Sequence, residues 1–157
     1  YGFGTEVIAL LLSAEAITFT IFSFLFGYIS DRLGRGNIVT LCQPLVIASL
    51  IGVAISRSVF GWLCWMAIFG IGSSGTYLGS TVLTAAVTDE GEAGATMGAF
   101  DALIDLGIVV GPALAIPLNK ATNILETTFI LATLPALLSL LLSLVYRKRL
   151  MASGGYY

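Results

Sequence analysis

Long apolar runs, broken only by short polar stretches, fill this chain from about residue 5 to about residue 146. Five of them are long enough to cross a hydrocarbon core, which takes about 20 helical residues. They lie at roughly 5–29, 38–56, 59–87, 95–117 and 124–146. In lipid every backbone N–H and C=O needs a partner within its own segment, so each run is predicted to be an α-helix. The alternating pattern of barrel strands is missing. The expected fold is therefore an all-α membrane protein, a polytopic helical bundle. Residues 1–150 would carry the five helices, and residues 151–157 a short disordered tail on the cytoplasmic side.

The polar breaks are short: Asp31–Asn37, Arg57–Ser58, Thr88–Gly94 and about Asn119–Asn123. Short connections make sequential helices antiparallel neighbours. Cations then set the direction, because cytoplasmic loops carry the excess of Lys and Arg. Arg32, Arg35, Arg147, Lys148 and Arg149 fall on one side, Arg57 and Lys120 on the other. The Asp31 break and the C-terminus are therefore expected in the cytoplasm, with the spans in the plasma (inner) membrane. Trp62 and Trp65 fall near the outer surface, where amphipathic rings form an interfacial belt. Glu6 and Glu126, at span ends, are expected to be solvated.

Composition narrows the chemistry. The chain is 57% hydrophobic and 10% charged, against about a quarter charged in soluble domains, so membrane lipid is an expected partner. A net charge of −2 gives no basic footprint for nucleic acid. Histidine is absent, and Cys42 and Cys64 both sit inside apolar runs. Neither a metal site nor a cofactor is expected. The chain opens at Tyr1 without a methionine, which suggests part of a longer protein.

The most distinctive stretch is Gly27-Tyr28-Ile29-Ser30-Asp31-Arg32-Leu33-Gly34-Arg35, an ionic knot between two membrane-length runs. It resembles the signature loop of the major facilitator superfamily of secondary transporters, Gly-x-x-x-Asp-(Arg/Lys)-x-Gly-(Arg/Lys)-(Arg/Lys). Gly27, Asp31, Arg32, Gly34 and Arg35 match that pattern, and Gly36 stands where its last cation belongs. The resemblance implies a cytoplasmic latch that breaks and reforms during transport. Glu90-Gly91-Glu92-Ala93-Gly94 is similar to the family's acidic start of a helix, with Ala93 in place of arginine. Gly107-Ile108-Val109-Val110-Gly111-Pro112 is similar to the Gly-x-x-x-Gly-Pro element of its antiporters, although Ala115 and Ile116 replace the closing glycines. Such glycines permit close helix contact, and Pro112 removes a backbone hydrogen bond and bends the helix. The family has twelve helices in two halves, so five spans imply a partial six-helix half whose missing helices are partners. Helices 2–6 and 8–12 fit that count alike; the short tail and the acids before the Gly-Pro of the fourth span favour the C-terminal half.

Three carboxylates fall inside the spans. Glu15 lies about 15 Å from the outer start of its helix, Asp105 about as far from the cytoplasmic start of its own, and Asp101 about one turn shallower. A carboxylate at that depth costs roughly 2.5–3.5 kcal/mol on insertion scales, so such residues face a cavity or a partner. Helical geometry sets Asp101 and Asp105 on one face, with Gly107 and Gly111 on the opposite one. Glu15, Asp101 and Asp105 are thus candidates for proton coupling or for holding a cationic group of a small-molecule substrate; a structural role for each stays open. The hydroxyls of Ser73, Ser74, Thr76, Ser80, Thr81 and Thr84, with Tyr77, either line a path or join helices, and Gln43 and Pro44 are equally ambiguous. Gly70-Ile71-Gly72-Ser73-Ser74-Gly75 spells a dinucleotide-binding fingerprint, but one needing a strand, a turn and a helix, whereas apolar sequence flanks it on both sides. The expected function is transport of a small solute by alternating access between two halves, with proton coupling as an option. A channel or assembly protein is the alternative. A membrane-embedded lipid-modifying enzyme is a more distant one, suggested by the Asp101/Asp105 spacing.

Overall fold

A computed structural model describes residues 4–33, 35–86, 88–89, 91–122 and 125–153, with side chains described for all of these except 30–33, 35–36, 122, 125 and 146–153. Five helices follow one another: α1 (Thr5–Leu33), α2 (Arg35–Ile55), α3 (Val59–Ala86), α4 (Ala93–Thr122) and α5 (Leu125–Ser153). All five contain stretches long and apolar enough to cross a membrane. The chain is an all-α, multi-pass membrane protein.

Helix ends depart from the sequence expectation in one direction: the helices run past the apolar core. The stretch expected as a loop from Asp31 to Asn37 is largely helical, since α1 continues to Leu33 and α2 starts at Arg35. Asp, Arg and Leu are all compatible with a helix once the chain leaves the lipid core. In α4 the helix passes Pro117 and ends at Thr122, so the connection expected at Asn119–Asn123 is mostly helix. Similarly, α5 runs through Arg147-Lys148-Arg149 to Ser153, three residues into the expected tail; residues 154–157 lie outside the described ones. Hydropathy marks the edge of the lipid core, and good helix formers carry the helix beyond it.

The tight corner between α2 and α3 has a local cause. Ser58 caps α3: its Oγ accepts from the Gly61 N–H at 3.1 Å, and its carbonyl accepts from the Trp62 N–H at 3.0 Å. The Trp62 indole N–H donates to the Ser56 carbonyl at 3.0 Å, which fastens the corner.

Packing centres on α3, which lies against α1 and α2, while α2 also packs on α5. Lipid tails are as apolar as leucine, so membrane helices associate by close packing rather than by leaving water. Glycines provide it here. Gly70, Gly72, Gly75 and Gly79 are buried along α3. A β-carbon on Gly72 would come within 2.9 Å of the Val46 backbone nitrogen of α2. On Gly70 it would collide with the Glu15 carbonyl and the Thr18 hydroxyl of α1, and on Gly75 it would meet Cys42 of α2 and Phe26 of α1. The fingerprint-like run 70–75 is thus continuous helix carrying a two-sided packing seam, with no strand or turn to bind a dinucleotide. Trp65, expected in the interfacial belt, lays its indole over Gly52 of α2.

α4 is different. It touches α3 and α5 only lightly, and a β-carbon on Gly98, Gly107 or Gly111 would meet nothing within 4 Å among the described residues. Among the described residues, nothing packs closely on the seam anticipated at Gly107 and Gly111. Gly27 has Leu78 Cδ2 at 3.9 Å from such a β-carbon, an ordinary contact rather than an unusually close one.

Candidate functional site

Because α1 and α2 cover two sides of α3, a third side stays open. At about 100° per residue, Ser73, Tyr77, Ser80 and Thr84 fall within about 60° of one another, roughly 130° around α3 from Gly72, Gly75 and Gly79. Tyr77 is exposed and the three hydroxyl residues are half-buried. Across the groove, Phe19 of α1 meets Tyr77 in a tilted ring pair with centroids 6.1 Å apart. The sequence leaves two uses open for these hydroxyls. Ser73 donates to the Gly70 carbonyl at 3.2 Å and Thr84 to the Ser80 carbonyl at 2.8 Å. Each donates within its own helix. Thr76 turns toward α2 and joins helices instead.

Glu15 belongs to the α1 face that packs toward α3, one turn above Phe19, and is half-buried. Its backbone carbonyl accepts from the Thr18 hydroxyl at 2.9 Å. Among the described residues its carboxylate has no hydrogen-bond or ion-pair partner. Asp101 and Asp105 are both exposed on α4; at about 100° per residue Asp105 lies about 80–140° around the helix from the half-buried Met97, Phe100, Ile104 and Leu118, and Asp101 sits at the edge of that face, about 40° from Met97. No described residue makes a hydrogen bond or ion pair with either aspartate. Glu15 is thus held on the α1–α3 pair, and the two aspartates on the loosely packed α4.

Sequence reasoning missed two contacts between helices. Gln43, nearly fully buried at 4% exposure, links three helices: its Nε2 donates to the Ser139 hydroxyl of α5, and its Oε1 accepts from Thr76 Oγ1 of α3 at 3.2 Å. Gln43 had been singled out as polar in an apolar span; Ser139, one serine in a leucine-rich helix, carried no signal. The second is an ion pair from Arg57 to Glu126. Glu126 was expected to be solvated, but the capped α2–α3 corner projects Arg57 toward the start of α5 and brings the charges together. Its residues are 67% and 25% exposed, respectively, so solvent screens it.

In the ionic knot, Gly34 lies outside the described residues, as do the side chains of Asp31, Arg32 and Arg35; their backbones close α1 and open α2. Pro112 sits within α4, which continues through it. Compared with known proteins, residues 1–153 match the family model described as Major Facilitator Superfamily. No curated protein matches the chain.

Proposed function

The chain belongs to the Major Facilitator Superfamily, and from that premise we propose that its five helices form part of a carrier that works by alternating access. The family moves small solutes across membranes, and this chain is an integral, multi-pass member. In our reading the open side of α3 lines the solute path, with Ser73, Tyr77, Ser80 and Thr84 facing it and Phe19 and Glu15 at its edge. The observation that carries this is a polar and aromatic face left uncovered on the most enclosed helix of a lipid-solvated bundle. Carrier sites lie near the bilayer midplane between repeats, the depth at which Tyr77 and Glu15 stand. Further helices, the partners of the acidic face of α4, would close the other wall. Glu15 and Asp105 are the coupling candidates, Asp101 a weaker one, and Asp31, Arg32 and Arg35 the cytoplasmic latch. The cation count supports a cytoplasmic C-terminus; we assign the chain to the plasma membrane and its five spans to the C-terminal half.

Single cysteines at Tyr77 and Ser80 test the path in the intact protein, reconstituted in vesicles with Cys42 and Cys64 replaced by alanine. A membrane-impermeant maleimide should reach each from either face of the bilayer in turn, with no steady ionic conductance. Simultaneous access from both faces, together with an ohmic current, would identify a channel instead.

A further inference from the structure

Gln43 is the one nearly buried amide among the described residues that bonds side chains of two other helices. The chain of bonds is directional. Thr76 donates to the amide oxygen of Gln43, whose nitrogen donates to Ser139. Thr76 also donates to the Gly72 carbonyl at 2.9 Å, so its hydroxyl proton is shared between its own helix and Gln43. Thr76 lies one residue before Tyr77 and one turn before Ser80, both on the open side of α3. The rotation of α3 about its axis therefore sets two things together: whether Thr76 reaches Gln43, and where Tyr77 and Ser80 point.

Glycine packing does not set that rotation relative to α5. Gly70, Gly72 and Gly75 seat α3 closely on α1 and α2, and none of their nearest neighbours belongs to α5. A polar side chain with two fixed partners supplies the missing register, because hydrogen bonds are directional where dispersion contacts are not. Gln43 sits where that is effective, on α2 between α3 and α5. The fixed length of its side chain sets the spacing across three helices.

We propose that Gln43 is a positioning residue for the solute path: through Thr76 and Ser139 it fixes the rotation of α3 relative to α5, and so the aim of Tyr77 and Ser80. This rests on the reading of the open α3 face as the path wall. It does not touch the solute in this scheme; it acts through the helix that does.

The test uses the intact protein in vesicles, with Cys42 and Cys64 replaced by alanine and one reporter cysteine at Ser80 or, as a control, at Lys120 on the outer end of α4. The probe is a membrane-impermeant maleimide, and the readout is its reaction rate. Gln43→Leu, Thr76→Val and Ser139→Ala should each change the Ser80 rate by about three- to tenfold in the same direction, the range membrane interhelical hydrogen bonds support. Lys120 rates should stay constant. Pairing Gln43→Leu with Ser139→Ala should add little to either alone, and Ser139→Thr and Thr76→Ser, which keep the hydroxyl, should restore the parent rate. If Gln43→Leu does not insert or fold, the Thr76 and Ser139 variants carry the test unaided. Unchanged Ser80 rates in all folded variants overturn the proposal, as does a parallel rise at Lys120, which would mean general loosening. A parent Ser80 cysteine that never reacts sinks the path reading; a reactive one that ignores Gln43, Thr76 and Ser139 sinks this proposal alone.

Discussion

Gly70 of α3 stands against the backbone carbonyl of Glu15 on α1, with the Phe19 backbone nitrogen 3.1 Å from where a β-carbon would be. Besides the Thr18 hydroxyl, the neighbours here are main-chain atoms, which cannot rotate out of the way as a side-chain tip can. The same holds for Gly72 against the Val46 nitrogen.

Gly70→Ala and Gly72→Ala are therefore expected to destabilise the bundle by about 1–3 kcal/mol each, the usual cost of overpacking. Gly107→Ala has open space around it in this chain and should cost no stability through contacts among α1–α5. Thermal unfolding of the purified protein in detergent should show clear losses for the first two and little change for the third. Equal losses at all three would mean that α4 packs as tightly as α3.

The outer corner offers a comparison of a cap with an ion pair. Ser58→Ala removes the acceptor for the Gly61 N–H, and loss of such a cap costs about 1 kcal/mol. Arg57→Ala breaks the pair with Glu126, but Arg57 is 67% exposed, and exposed pairs are worth about 0–1 kcal/mol before salt weakens them further. The Ser58 variant should thus lower the melting temperature at least as much as the Arg57 variant. The Arg57 effect should shrink in high salt and the Ser58 effect should not. A large, salt-insensitive Arg57 effect would contradict the screening argument.

Helix number, type and approximate span were legible because lipid leaves the backbone no other choice, and a run of about 20 apolar residues is hard to mistake. Helix ends were less so. Arg147 to Ser153 and Asn119 to Thr122 read as exits from the membrane, yet α5 and α4 continue through them, because leaving lipid does not break a helix. Glycine roles were partly legible: the apolar flanks of 70–75 argued against a dinucleotide site, but nothing in one sequence tells that Gly107 and Gly111 face open space here. The Gln43 bonds were beyond reach for a related reason. An amide inside an apolar helix announces a partner, but Ser139 lies 96 positions away, and only the packing of α2 on α5 selects it from several serines.

The ionic knot can be tested without knowing its side-chain geometry. Asp31 lies near the end of α1 and stands where the family motif has its acid. Asp31→Asn keeps the size and removes the charge. In the intact carrier it should cut transport at least tenfold while leaving membrane insertion and abundance unchanged. That pairing separates a latch from a folding determinant. Unchanged uptake kinetics would remove Asp31 from the mechanism, and lost insertion would reassign it to assembly.

Under the proposed reading, the carboxylates Glu15 and Asp105 are the two coupling candidates to compare. Glu15 and Asp105 stand at comparable depth, but on helices of opposite character. Glu15 is half-buried on the α1 face toward tightly packed α3, one turn from the Phe19–Tyr77 pair, whereas Asp105 is exposed on α4, which packs loosely. A group that takes up and releases protons needs access to water that changes during the cycle, and a residue on a loosely held helix facing a second wall meets that need better. Asp105→Asn should therefore abolish the response of solute flux to an imposed proton gradient while leaving downhill exchange in place. Glu15→Gln, close to the path wall, should weaken solute binding and reduce both fluxes together. The two outcomes can be read in one preparation by measuring flux with and without the gradient. Retained gradient dependence in Asp105→Asn, with its loss in Glu15→Gln, would exchange their roles and place the coupling site on α1.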